Sequence, residues 1–200
     1  MQKTEVYMGK ARSPGGGGSG VNSMGILTRG GKAHVGLTEF LNDFVGTTEG
    51  ANSDSRLLRE FTSNNWTNLM ADPANVERIN SIIDNNLPNQ WNGGPTYRGI
   101  NVDNATLASY TPGTIIPQKP DGATAVSWSS VQARAESFAG GPQNSVVFVN
   151  EAPRTRGISI KPISNYATES EILVHGRQRM RVNRTEQKGG ITYVHISNIP

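Results

Sequence analysis

The sequence predicts an α+β protein: a mixed β-sandwich core over residues 93–200, preceded by a small helical subdomain over 34–92 and a glycine-rich arm over 1–33. Two observations carry this. The hydrophobic period changes from helical to strand-like after Trp91-Asn92-Gly93-Gly94-Pro95. Beyond that point, short β-branched and aromatic runs are separated by Gly/Pro turns, with one helical pattern among them. A chain of 200 residues is long enough to bury one sizeable core.

The arm comes first. Ser13-Pro14-Gly15-Gly16-Gly17-Gly18-Ser19-Gly20 has a high ordering entropy and reads as flexible. It matches a dinucleotide-binding glycine pattern only because it is nearly all glycine, and no strand precedes it. Arg29-Gly30-Gly31-Lys32-Ala33 misses the phosphate-loop pattern in glycine spacing and in its last residue.

From Val35 to Pro88 the apolar residues recur at helical spacing. Val35, Leu37, Phe40, Leu41, Phe44 and Val45 form one stripe ending at Gly46. Ser53 or Asp54 is placed to cap a second helix carrying Leu57, Leu58, Phe61, Leu69 and Met70. Asp72-Pro73 opens a third, with Val76, Ile79, Ile82 and Ile83 on one face. Trp66 is expected to pack inward.

Strands are expected at Thr96–Ile100, Thr114–Pro117, Thr124–Trp128, Ser145–Asn150, Gly157–Pro162, Glu171–Val174, Met180–Asn183 and Ile191–Ser197, with a helix from about Ser130 to Phe138. The segment Thr168-Glu169-Ser170-Glu171-Ile172-Leu173-Val174 reads as two carboxylates running into a strand. Alternation then puts Glu169 and Glu171 on the same face. Two like charges side by side weaken a sheet, so the pair calls for a cation or a reaction that develops positive charge.

Composition narrows the function classes. With no cysteine there is no disulfide, thiolate nucleophile or Cys-based zinc site, and a cytoplasmic setting is the simplest reading. No apolar run approaches a membrane span, so no membrane partner is expected. Residues 93–200 hold 11 basic and 7 acidic side chains against 8 and 9 in residues 1–92, so the C-terminal half attracts anions. His34, His175 and His195 lack ligand spacing, and no metal site is expected. His195, within Tyr193-Val194-His195-Ile196, reads as a strand residue.

Three motifs recur in the β-half: Tyr97-Arg98-Gly99, Ser127-Trp128-Ser129 at a strand end just before a helix, and Glu169-Ser170-Glu171. Singly, an Arg in a strand is usually a surface charge, and a Ser before a helix an N-cap, a task open to Ser129. In this order the set resembles the Arg–Ser–Glu, cholera-toxin-like class of mono-ADP-ribosyltransferases. The resemblance spans about residues 93–200. It extends to Pro112-Gly113-Thr114-Ile115-Ile116, to Ala135-Glu136-Ser137-Phe138-Ala139 and to Val146-Val147-Phe148-Val149.

The resemblance implies NAD as co-substrate and a division of roles. Arg98 would bind an NAD phosphate, which suits a guanidinium fork. The Gly99 backbone would approach the nicotinamide amide. Ser127 would contact the nicotinamide ribose or hold the catalytic glutamate, with Ser129 beside it. Phe138 would lie against nicotinamide, or else serve in the helix core. Glu171 would be catalytic, stabilising the cation that develops as nicotinamide leaves. Glu169 would orient and deprotonate the nucleophile, and a Glu here goes with protein arginine as acceptor. Trp128 departs from the more usual Thr, and the extra NAD-contacting Arg of some toxins is missing after Phe138; Arg134 and Arg154 are the two candidates to take its place. Nucleic acid or water as acceptor, and a non-catalytic nucleic-acid-binding protein, are the alternatives. A monomeric host-modifying bacteriophage enzyme or a bacterial effector toxin, acting in a host or target-cell cytoplasm, fits the resemblance.

Overall fold

The computed structural model describes residues 54–63, 66–86, 90–118, 124–141 and 143–199. The glycine-rich arm, His34, the Val35–Val45 stripe and the Trp66 side chain lie outside the described residues.

Three helices precede the sheet: α1 (Asp54–Phe61), α2 (Trp66–Met70) and α3 (Pro73–Asn85). Asp72 caps α3 by accepting a hydrogen bond from the Ala74 N–H at 2.9 Å, and Pro73 stands where a missing N–H costs nothing. The apolar face of α3 is buried through Val76, Ile79, Ile82 and Ile83, as its period predicts. With Leu57, Leu58 and Phe61 of α1, most of it packs against Ile158, Ile160, Ile163 and Leu173 of the β-half. Each such side chain contributes about 1.5–3 kcal/mol when fully buried.

The strands are β1 (Thr96–Val102), β2 (Ile115–Pro117), β3 (Val126–Ser129), β4 (Asn144–Asn150), β5 (Gly157–Ser159), β6 (Glu171–Val174), β7 (Arg179–Lys188) and β8 (Ile191–Ile199). Short α4 (Asn104–Ala108) follows β1, and α5 (Gln132–Ala139) follows β3. The strand order is β2-β7-β8-β4-β1-β3-β6-β5. All pairings are antiparallel except β4 with β8.

The weakest join in this sheet is β1 with β3, where Tyr97 opposite Ser129 is the single register pair. Five strands lie on one side of that join and three on the other. The two parts fold over each other: Val126, Trp128, Ile172 and Val174 share one apolar cluster with Val146, Phe148, Met180, Val182, Val194 and Ile196. The expected sandwich is therefore present. Alternation then sends Ala125, Ser127, Ser129, Glu171 and Leu173 to the opposite face of the three-strand part, where Ala125 and Leu173 meet the helices.

Helix α5 covers the outer face of the five-strand part through Ala135 and Ala139 against Val147, Val149 and Tyr193. Its approach requires glycine at 99, since a Cβ there would lie 1.8 Å from the Ala135 carbonyl oxygen and 2.8 Å from the Ala139 nitrogen. Gly99→Ala is accordingly expected to push α5 off the sheet and cost at least ~1–3 kcal/mol, read as a lower urea midpoint.

Tyr193 donates its hydroxyl to Glu136 of α5 at 2.8 Å. Burial, then the Glu136 hydrogen bond, pushes the Tyr193 hydroxyl above its ordinary range; the Gln132 and Tyr193 bonds hold Glu136 below its own. A raised Tyr contributes stability below its unfolded pKa, about 10, and loses it as pH rises through the higher folded value. A lowered Glu contributes above about 4.3 and loses it as pH falls. The thermal midpoint should thus fall at both extremes, and Tyr193→Phe should flatten the alkaline limb. An unchanged alkaline limb in Tyr193→Phe would show that this bond does not brace α5.

Candidate functional site

The three motifs converge on the weak β1–β3 join. Tyr97 faces Ser129 there, and Ser129 in turn faces Glu171 across β3 and β6. Ser127 lies opposite Leu173, two residues along from Glu171 on the same face. The Ser127 hydroxyl donates to Oε1 of Glu171. Glu171 is only 6% exposed, so a carboxylate is held in a largely dehydrated place by a directed hydroxyl.

Glu169 is not where alternation puts it. Ala167–Glu169 is a turn of 3-10 helix, Ser170 takes a left-handed backbone at φ 48°, and β6 starts only at Glu171. The two glutamates therefore do not share a strand face. A non-glycine residue at positive φ costs about 1–2 kcal/mol, and the turn persists because its carbonyls are held. Ser129 Oγ donates to the Glu169 carbonyl at 2.6 Å, the Ser130 N–H to that of Ser170 at 3.2 Å, and the Ile160 N–H to that of Glu171 at 3.1 Å. Helix α1 braces the approach to this turn, with its Arg59 carbonyl accepting from the Asn165 side chain at 2.9 Å.

Ser129 thereby has a clearer task than capping. Its oxygen accepts from the Val131 N–H at 3.0 Å, one residue before α5 begins, while its hydroxyl hydrogen pins the Glu169 turn. Gly99 likewise faces a helix backbone at the site its Cβ would fill. Phe138 is half-buried and, among the described residues, belongs to none of the apolar clusters. Arg134 is half-buried and Arg154 exposed.

Arg98 is 7% exposed and donates from Nη1 to the Gln118 carbonyl at 2.7 Å. The same Gln118 accepts at Oε1 from Trp128 Nε1 at 2.9 Å, so one residue ties the Arg and Ser motifs together. Sequence reading missed Gln118. The available signal was Trp128 itself: alternation turns it inward from its flanking serines, and a buried indole N–H requires an acceptor. Gln118 Nε2 is buried without a hydrogen-bond partner among the described residues. An orphaned donor next to a buried guanidinium suits an acceptor-rich ligand, which a dinucleotide with its phosphates and carboxamide is.

His175 stands at the far end of β6 and His195 within β8, as expected of a strand residue. Among the described residues no group of three or more His, Asp or Glu side chains is disposed to hold a metal ion, and no helix is long and apolar enough to cross a membrane.

This architecture recurs in solved structures. The Vis toxin, an ADP-ribosyltransferase from Vibrio splendidus, matches with a TM-score of 0.55 at 18% identity, over 86% of this chain and 88% of its own. The Clostridium limosum C3 exoenzyme matches at 0.55 and 14% identity, over 84% and 94%. The fold is that of the ADP-ribosyltransferases. Exoenzyme S from Pseudomonas aeruginosa, solved with human 14-3-3 protein beta and carba-NAD, matches at 0.53 and 18% identity over 82% and 84%. No protein-family model and no curated protein matches the sequence.

Proposed function

We propose that this ADP-ribosyltransferase fold carries an NAD-dependent mono-ADP-ribosyltransferase activity whose acceptor is an arginine side chain on a protein. The observation that supports it most is the buried Glu171 carboxylate receiving the Ser127 hydroxyl, beside a separately held Glu169. The guanidinium of Arg98 and the amide of Gln118 would take NAD phosphate or carboxamide oxygens. Phe138, half-exposed on α5, would contact the nicotinamide ring.

The bond that breaks is the N-glycosidic bond of NAD, and its electron pair leaves with nicotinamide. Positive charge grows on the ribose C1′ in the transition state, where the fixed Glu171 carboxylate stabilises it. Ser127 keeps that carboxylate oriented, so no reorganisation is required as charge develops. An acceptor guanidinium nitrogen then bonds to C1′ while Glu169 takes its proton. The acceptor assignment has its own support: Vis has been solved with agmatine, a small guanidine. A type III effector from Xanthomonas axonopodis pv. citri shares the fold at a TM-score of 0.56, in keeping with a target in another cell's cytoplasm.

Incubation with NAD labelled in its adenylate part and a cell lysate tests the proposal. Label is expected in protein, at arginine on mass spectrometry, and excess agmatine should suppress it. Label in nucleic acid alone, or NAD consumed with no label transferred, would move the acceptor elsewhere. No NAD turnover would remove the activity.

A further inference from the structure

The opposite end of β6 from Glu171 carries a second arrangement that the proposed reaction does not use. A cavity of about 260 Å³ opens between the C-terminal end of α3, the start of β5 and the β6–β7 turn, lined by Asp84, Arg156, His175, Arg177, Gln178 and Arg179 among others. At about 3.3 Å per residue, the four-residue β6 sets it roughly 10–13 Å from Glu171.

The charges in it are unequally matched. Arg177 pairs with Glu77, and Asp84, the one carboxylate of the lining, lies 3.5 Å from His175 Nε2. Among the described residues, the Arg156 and Arg179 guanidiniums have no hydrogen bond or ion pair. The backbone of Gln178 is fixed at both ends, its N–H donating to the His175 carbonyl at 3.1 Å and its carbonyl accepting from Gln118 at 3.2 Å. Yet both polar atoms of its side-chain amide, Oε1 and Nε2, are buried without a partner among the described residues. A buried amide left unsatisfied at both ends is costly, and the cavity wall is where it stands.

From these residues we infer that the cavity is a binding site for a small organic phosphate. Arg156 and Arg179 supply the fork donors a phosphate monoester matches, and the Gln178 amide supplies a donor and an acceptor for a hydroxylated group attached to it. The volume exceeds what a bare oxoanion fills, so a sugar phosphate suits it better than inorganic phosphate. The inference is independent of the transferase reading, because none of these side chains belongs to the Arg98, Ser127 or Glu171 constellation.

Calorimetric titration with ribose 5-phosphate, inorganic phosphate and ribose tests it on the full chain. Ribose 5-phosphate is expected to bind saturably, more tightly than inorganic phosphate, with ribose alone silent. Arg156→Ala and Arg179→Ala, both exposed positions, should each weaken binding by roughly tenfold, and Gln178→Leu should erase the preference for the sugar phosphate. Unchanged thermal midpoints in these variants show that the fold is intact, and saturating NAD should leave the ribose 5-phosphate isotherm unaltered. Equal affinity for both phosphates would overturn the sugar-phosphate assignment. Displacement by NAD would overturn a separate site, and the absence of saturable binding would overturn the whole inference.

Discussion

Glu171→Ala is expected to reduce nicotinamide release from NAD and transfer to an acceptor together, each by about 100- to 1,000-fold. Glu171 is the buried carboxylate that receives the Ser127 hydroxyl, and in the proposed reaction its charge has value mainly when the ribose becomes cationic. An interaction realised in the transition state lowers kcat when it is lost and leaves KM for NAD nearly unchanged. Glu171→Gln separates charge from shape: it keeps a group for Ser127 to bond but should lose most of the same rate. Initial rates of nicotinamide release, with the thermal midpoint of each variant beside them, decide the matter. Full activity in Glu171→Ala with an intact fold would remove Glu171 from the chemistry.

Much of this architecture was readable because its signals are local. The Asp72-Pro73 start of α3, its four-residue apolar face and the continuously buried runs of strands β4 and β8 each follow from short-range sequence pattern. Strand β7 runs to Lys188, five residues past its expected end at Asn183. Arg184-Thr185-Glu186-Gln187-Lys188 is exposed throughout and has no apolar alternation to read. That stretch is held by pairing with β8 through a turn whose Gly189 and Gly190 both take positive φ, at 59° and 81°. Helix α4 was missed for a related reason: it buries no residue, and its one clear sign is the Asp103 cap on the Thr106 N–H at 2.6 Å.

The site was legible in its residue types and less so in its geometry. The order Arg98, Ser127, Glu171 marked the strands that come together, but alternation misplaced Glu169. Period-2 reasoning assumes an unbroken strand, and Ser170 breaks it with a left-handed backbone that Gly, Asn or Asp would signal and Ser does not. The stabilising partners are remote in sequence. Ser129 reaches Glu169 across 40 positions, and Gln118 sits 20 positions from Arg98. Such pairs appear only once the chain has folded. The turn also explains a puzzle in the sequence: like charges directly on one strand face would oppose each other, and the left-handed residue takes Glu169 out of the ladder.

That separation predicts that the two glutamates can be taken apart by mutation. Glu169→Gln is expected to lower ADP-ribose transfer to a guanidine acceptor by about 100-fold or more, the usual contribution of a positioned general base. Release of nicotinamide to water should stay within a few-fold of the unaltered enzyme, since Glu171 and its Ser127 bond are untouched. Gln keeps the side chain's size and leaves the backbone contact in place, because Ser129 holds the Glu169 carbonyl and not its carboxylate. Loss of transfer is then a loss of charge and basicity, and not a collapse of the turn. Agmatine as acceptor gives the cleanest comparison, because transfer and hydrolysis are counted in one reaction from labelled NAD. Equal loss of both activities in Glu169→Gln would mean that the two carboxylates act as one unit on the ribose. Unimpaired transfer would mean that the acceptor is bound without Glu169, and the arginine assignment would fall with it.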